Sequence, residues 1–169
     1  MGLPVKRFVA ANNRNDVFFK YLKDCNYNPR PSVQTIANAM DVGDPSNFAR
    51  IIDLYGNSHT DITADISGYT YSDEQIRQTI RKVYDTHGYL LDPHGACGYM
   101  ALKEGLKDGE TGVFLATAHP AKFKETVEEC IDKTIEIPEE LQAFMKNEKQ
   151  TTTCSADYQS FREILLNAQ

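Results

Sequence analysis

The chain lacks the features that assign a protein quickly to a chemistry. Cys25, Cys97, Cys130 and Cys154 stand far apart, with no C-x-x-C pair. That excludes a zinc ribbon and a small disulfide framework, and it suits a reducing cytosol. His59, His87, His94 and His119 show neither H-x-x-x-H nor H-E-x-x-H spacing, so no metal site is expected. There is no G-x-G-x-x-G and no P-loop glycine run. No apolar run approaches the roughly 20 residues of a membrane span, and the first residues carry no signal-peptide-like apolar stretch. Basic residues are outnumbered, 18 against 24, leaving a net charge of −6. Without a basic stripe interleaved with aromatics, a nucleic-acid-binding surface is excluded. The one local cluster, Arg77, Arg81 and Lys82, reads as a solvated helix face. Internal repeats and low-complexity blocks are also missing.

What is present fits one ordinary domain. A chain of 169 residues can bury roughly 70% of its unfolded surface. Hydrophobic residues at 41% and charged residues at 25% are globular averages, which excludes wholesale disorder.

The organising stretch is GVFLATAHPAKFKETVE, residues 112–128. Val113 to Ala116 is a short apolar run with the composition of a strand covered on both faces. Thr117 ends it, His119 falls at a cap, and Pro120 suits the first position of the helix that follows. In an open parallel sheet, ligands bind at the carboxyl ends of strands, where the N–H groups of the next helix point. An ordinary strand-to-helix turn with a capping histidine reads equally well.

Before that stretch, Met1-Gly2-Leu3-Pro4 reads as a helix stop with no helix ahead of it. Val5 to Ala11 is expected as a strand, 12–16 as a polar turn, and a helix runs from Asn15 or Asp16 through Leu22. Tyr27 to Pro31 is extended loop, and 32–40 is either a short helix or a strand. Asp44 and Pro45 are expected to start a helix to Tyr55, with Phe48, Ile51, Ile52 and Tyr55 on one face. Gly56 to Gly68 carries little apolar mass and reads as irregular surface. Ser72 with Gln75 makes a capping box for a helix to about Thr86 that buries Ile76, Ile80, Val83 and Tyr84. Gly88 closes that helix, and Tyr89 to Leu91 is expected as another strand.

Asp92-Pro93 opens the next helix, whose first turns hold Gly95, Ala96, Gly98 and Ala101. Such small residues admit either a closely packed neighbour or a ligand. From Pro120 a helix to about Ile131 buries Phe123, Val127 and Ile131. A short helix follows from Pro138 through Met145, and a last one starts at Asp157.

Three loops share one pattern, a short strand followed by a polar cluster and a helix: Asn12–Asp16, Asp92–Ala96 and Thr117–Lys122. If their strands are parallel neighbours, they converge on one polar pocket. Arg14, His94, His119 and Lys122 are its candidate positive charges for a phosphate or carboxylate. Spacing alone names no nucleophile–base pair.

The stretches GLPVKRFVAANNRND (2–16), RPSVQTIANAMDVGDPSNFARI (30–51), HGYLLDPHGACGYMAL (87–102) and residues 112–128 together resemble the threonine synthase family, in its bacterial and fungal branch. They occur in the family's order, and SADYQSFREILLNAQ (155–169) resembles the family's end. The most specific pieces are NAMDVGDPSN and TAHPAKF. The resemblance implies part of a tryptophan-synthase-β-like large domain (pyridoxal-phosphate fold type II), an α/β three-layer sheet with helices on both faces. Residues 1–137 would be its α/β core and 138–169 a helical tail.

The cofactor implied is pyridoxal 5'-phosphate. The reaction implied is conversion of O-phospho-L-homoserine and water to L-threonine and phosphate, with phosphate leaving from Cγ and water adding at Cβ. Thr117 matches the hydroxyl that faces the pyridine nitrogen, while Asn13, Asp16, Asp41, Asn47, His94 and His119 match pocket-lining positions. Asn12 departs from the Thr or Ser often found there, and Gly95 and Cys97 depart from Ala or Val. The family's cofactor-binding lysine and glycine-rich phosphate loop lie upstream of the matched part, which accounts for the orphan helix stop. Lys122 is not that lysine.

By this resemblance the chain is the carboxyl-terminal portion of a cytoplasmic enzyme. Alone it is expected to be inactive, to hold no cofactor covalently, to contain no catalytic residue, and to self-associate through exposed sheet edges. Its implied partners are the substrate and the missing amino-terminal half. The alternative is a stand-alone, non-catalytic module for phosphate or amino-acid ligands.

Overall fold

In the computed structural model, residues 4–148 and 150–167 are described. The expected helix stop at residues 1–4 lies, but for Pro4, outside them. The chain divides into two compact units, meeting between Glu136 and Ile137.

The first unit is built on two parallel strands, β1 (Phe8–Asn12) and β2 (Ile66–Thr70). Val9 lies opposite Ser67, and Asn12 opposite Thr70. Side chains alternate across a strand, so the two faces take different neighbours. On one face, α1 (Val17–Asp24) sits over Gly68, where an added Cβ would come within 2.9 Å of Leu22 Cδ1. On the other face, α5 (Pro93–Gly105) brings Gly105 against Val9 and Tyr69. Helices therefore cover both faces of the sheet, as expected.

Outside α5 lies α4 (Asp73–His87), which packs on α5 and on α6 (Lys124–Ile131). Ile76, Ile80, Val127 and Ile131 are sealed together with Ala96, Cys97 and Ala101. The capping box at the start of α4 forms as read: Ser72 Oγ accepts from Gln75 N, and Gln75 Oε1 accepts from Ser72 N. Gly88 ends α4 in the left-handed region (φ 64°), which favours glycine. The second unit holds α7 (Glu139–Met145) and α8 (Tyr158–Asn167).

Four expectations need correction. The Gly56–Gly68 stretch is not irregular: it forms α3 (His59–Asp65) and leads directly into β2. Ser58 caps α3, Ile62 is fully buried, and His59 Nε2 meets Tyr21 O at 2.9 Å. Little apolar mass was visible because β2 needs a small residue, Gly68, under α1.

Asp44 does not cap a helix. Its carboxylate accepts from Tyr27 Oη (2.8 Å), and α2 spans only Phe48–Leu54.

Val113 to Ala116 pairs with no strand among the described residues, and Val113 and Leu115 are 82% and 78% exposed. Phe114 alone turns inward, onto Gly98 and Tyr99. The run alternates as a strand would, but one of its faces is bare.

Tyr89 to Leu91 is likewise unpaired; Leu91 is buried by packing, without a ladder.

One ion cluster ties the chain entering β1 to the end of α5. Arg7 grips Glu110 with two nitrogens (2.9 and 2.6 Å) and also donates to Gly105 O. Lys6 Nζ and the Lys107 N–H add to the same carboxylate, each at 2.9 Å. These donors, Arg7 foremost, hold the Glu110 carboxyl well below the usual carboxylate range. A depressed carboxyl contributes stability above its unfolded value, about pH 4.3, and loses it as pH falls toward the folded value. Replacing Glu110 by Gln is therefore expected to lower the urea midpoint at pH 7, and to lower it by a smaller margin at pH 3, where the folded carboxyl is still charged and the unfolded one is not. Urea titrations at the two pH values check this.

Candidate functional site

Both strands point their carboxyl ends the same way, and a cavity of 430 Å³ opens there. Its polar side comes from the turn after β1, Asn12, Asn13 and Asn15, with His94 at the start of α5. Its apolar side comes from Phe18, Met40, Val42, Phe48 and Ile51. A concave, largely apolar site with a few placed polar groups is the ordinary form of a small-molecule pocket.

The floor is a net of side-chain hydrogen bonds. Asn13 Nδ2 donates to Thr35 Oγ1 (3.0 Å) and to Ala37 O (3.2 Å), while its Oδ1 accepts from Asn15 N (2.8 Å). Asn15 Nδ2 donates to Val33 O (2.9 Å) and Asp41 Oδ1 (3.0 Å), and Asn15 Oδ1 accepts from Val33 N (2.8 Å). Asp41 accepts in addition from Thr35 Oγ1 (2.8 Å) and Thr35 N (3.1 Å). Thr35 is only 3% exposed, so its polar atoms must find partners inside the protein. Segment 32–40, read as helix or strand, is neither; it is irregular backbone sewn to the β1 turn. The sewing also needs Gly43, where a Cβ would fall 1.9 Å from Arg30 O. Arg30 N donates to Gly43 O at 3.1 Å.

The wall beside Phe48 is aromatic. Tyr27 stacks flat on Phe48, centroids 3.9 Å apart, and Tyr21 meets Phe48 edge-on at 4.7 Å. Asn47 stands at the head of α2, exposed and capping nothing, and lines the cavity.

At the other side Asp92, 3% exposed, starts α5. Its carboxylate accepts from His94 N (2.9 Å) and Gly95 N (3.2 Å), and the His94 ring nitrogen Nδ1 lies 3.2 Å from Asp92 Oδ1. The His94 ring leans on Phe123, centroids 5.2 Å apart. Cys97 also lines the cavity, and burial pushes its thiol up to about 12. It is therefore a neutral packing group at pH 7, not a nucleophile.

Of the sequence-derived candidates, Asn13, Asn47 and His94 line the cavity. Asp41 stands one bond behind it, holding Asn15 and Thr35. Asp16 does not line it: its carboxylate pairs with Arg30 and Lys20. His119 caps the 3-10 turn Pro120–Phe123, accepting from Ala121 N on Nδ1 (3.1 Å), and is exposed. Thr117 is exposed, lies outside the cavity lining, and has no hydrogen-bond partner among the described residues. Of the loops expected to converge, Asn12–Asp16 and Asp92–Ala96 line the same cavity. No residue of the third lines it; Phe123, which follows that loop, packs on the His94 ring.

Of the four candidate cations, only His94 faces the cavity. Phe18, Met40 and Cys97 were missed as cavity residues. Phe48 and Ile51 were visible only as one face of an amphipathic helix, which does not distinguish a core face from a pocket wall.

The comparisons with known proteins agree on one family. Residues 2–118 match the family described as pyridoxal-phosphate dependent enzyme, and residues 95–165 match that described as threonine synthase, C-terminal. The threonine synthase of Haemophilus influenzae is 41% identical over 168 residues, and that of Escherichia coli 38% over 169. These cover 99% and 100% of this chain but 39% of each relative, so the chain spans well under half of their length. The crystal structure of the Escherichia coli enzyme superposes with a TM-score of 0.88 over 99% of this chain and 39% of that one. The pyridoxal-phosphate-bound threonine synthase of Brucella melitensis, 27% identical, superposes at 0.84 over 98% of this chain and 41% of its own. The chain belongs to the pyridoxal-phosphate-dependent enzyme family, and the relatives it matches here are threonine synthases.

Proposed function

We propose that these residues form one side of the active site of a threonine synthase, a cytoplasmic lyase that converts O-phospho-L-homoserine and water to L-threonine and phosphate. The observation that carries this is the cavity at the carboxyl ends of β1 and β2, in a chain similar to the threonine synthases of Haemophilus influenzae and Escherichia coli. When bound, pyridoxal phosphate supplies an electron sink for carbanionic charge.

The residues present fit such a group. Thr117 offers a hydroxyl that no described residue engages, and a neutral hydroxyl suits an uncharged pyridine nitrogen. Asn13 and Asn15, fully committed to the floor, give the pocket its shape. Phe18, Phe48 and Ile51 keep water from its apolar side. Asn47, whose amide has no hydrogen-bond partner among the described residues, lines the cavity and can serve as a donor or acceptor for the polar end of the substrate. Asp16 acts here through the Arg30 guanidinium it pairs with, and His119 through the Ala121 N–H it accepts from.

No lysine lines the cavity among the described residues. An amine that binds the cofactor covalently, and the cations that hold its phosphate, must then come from other polypeptide. The bare faces of Val113 and Leu115, and Phe8 of β1 at 57% exposure, fit burial by that polypeptide, and in its absence they favour self-association. Turnover by these 169 residues alone is not expected.

Two experiments test the reading. Incubating the chain with pyridoxal phosphate and then borohydride should leave no single lysine stoichiometrically modified by mass spectrometry; one such lysine would contradict it. For the second, the chain replaces the matched segment of the Escherichia coli enzyme, and the chimera should form threonine from O-phospho-L-homoserine. Thr117→Ala in that chimera should lower kcat about 10- to 100-fold, the cost of one hydrogen bond of about 1–3 kcal/mol. Its unfolding midpoint should not move, because Thr117 is exposed. Unchanged kcat would remove Thr117 from the site.

A further inference from the structure

We propose that His94 is the acid–base group of the cavity, held in one tautomer by the buried carboxylate of Asp92. This rests on the functional reading above, and it assigns to one side chain the proton traffic that adding water requires. Three observations place it. His94 is the one imidazole that lines the cavity. Its Nδ1 lies 3.2 Å from Asp92 Oδ1, whose carboxylate is 3% exposed and already fixed by the N–H groups of His94 and Gly95. Its ring is further braced by Phe123.

A carboxylate pinned by two backbone donors can only accept from the ring, so Nδ1 carries the proton of the neutral imidazole. Nε2 is left as an acceptor, with no partner among the described residues. The other groups around the ring cannot do this work. Asn13 and Asn15 have both ends of their amides engaged and do not titrate, and Cys97 remains a thiol. Phe123 is apolar, and His119 spends its Nδ1 on the Ala121 N–H.

The step is a plain proton transfer. An O–H bond of a cavity water breaks as the N–H bond at Nε2 forms. The electron pair stays on oxygen and forms the C–O bond at Cβ, while the carbon–carbon π bond left there by loss of phosphate breaks; its pair passes to the adjacent carbon, which the proton held on Nε2 then neutralises. Asp92 keeps the ring orientation throughout and gains no proton.

The test has two arms. In the 15N-labelled chain, ring-nitrogen NMR should show His94 protonated on Nδ1, and Asp92→Asn should abolish that preference. In the chimera, His94→Ala should lower kcat at least about 100-fold with KM changed only a few-fold, the scale of a lost general acid–base group. Added imidazole should restore much of the loss, which a purely structural role would not allow. An Nε2–H tautomer in the parent chain overturns the proposal, as does an active chimera that keeps its kcat in His94→Ala. So does a loss of kcat that imidazole leaves untouched. A parent chimera that binds cofactor but forms no threonine removes the functional reading itself, and the water step with it.

Discussion

Two asparagines and an aspartate, bridged by a buried threonine, decide the shape of this molecule where it matters. The turn after β1 and the irregular segment 32–40 share no ladder of backbone hydrogen bonds. They are joined through the side chains of Asn13, Asn15, Thr35 and Asp41. A neutral hydrogen bond contributes about 0.5–1.5 kcal/mol and one to a charged group about 1.5–3 kcal/mol, so the set outweighs any single contact in the cavity wall. Because the members are partly shielded from water and mutually saturated, removing one leaves its partners unsatisfied. The floor is therefore stiff in one arrangement or absent.

From that floor the remaining features follow. Gly43 lets segment 41–45 lie against Arg30, which brings Pro45, Asn47 and Phe48 to the rim. Tyr27, stacked on Phe48 and bonded to Asp44, closes that side. Across the cavity the small residues of α5 act structurally. Gly98 admits Phe114, Gly105 admits Val9 and Tyr69, and Gly95 admits the Asp92 carboxylate that caps the helix. The polar wall thus rests on close packing, and His94 inherits its place from it.

Much of this was legible beforehand because the signals were local. The Ser72–Gln75 capping box, the Asp92-Pro93 start of α5, and the Ile76, Ile80 and Val83 stripe each contain their own cause within a few residues. The covering of both sheet faces and the two loops that meet at the cavity were legible too. What failed was non-local. β2 reads as polar surface because its burial comes from α1 pressing on Gly68, which no window around Gly68 reveals. Val113 to Ala116 has the composition of a doubly covered strand, yet coverage depends on neighbours, and the described residues supply only one side. Asp41 and Asn15 suit turns in any local reading; that they bind each other across 26 residues is visible only in space.

The central claim is that side-chain hydrogen bonds centred on Asp41, without a strand ladder, hold the cavity floor. Amide hydrogen exchange tests it directly, since the Val33 and Thr35 N–H groups are bonded only to Asn15 Oδ1 and Asp41 Oδ2. In the parent chain both amides should exchange slowly. In Asp41→Ala both should exchange freely while the α4 amides around Ile80 stay protected. Equal protection of Val33 and Thr35 in the two proteins would contradict the account.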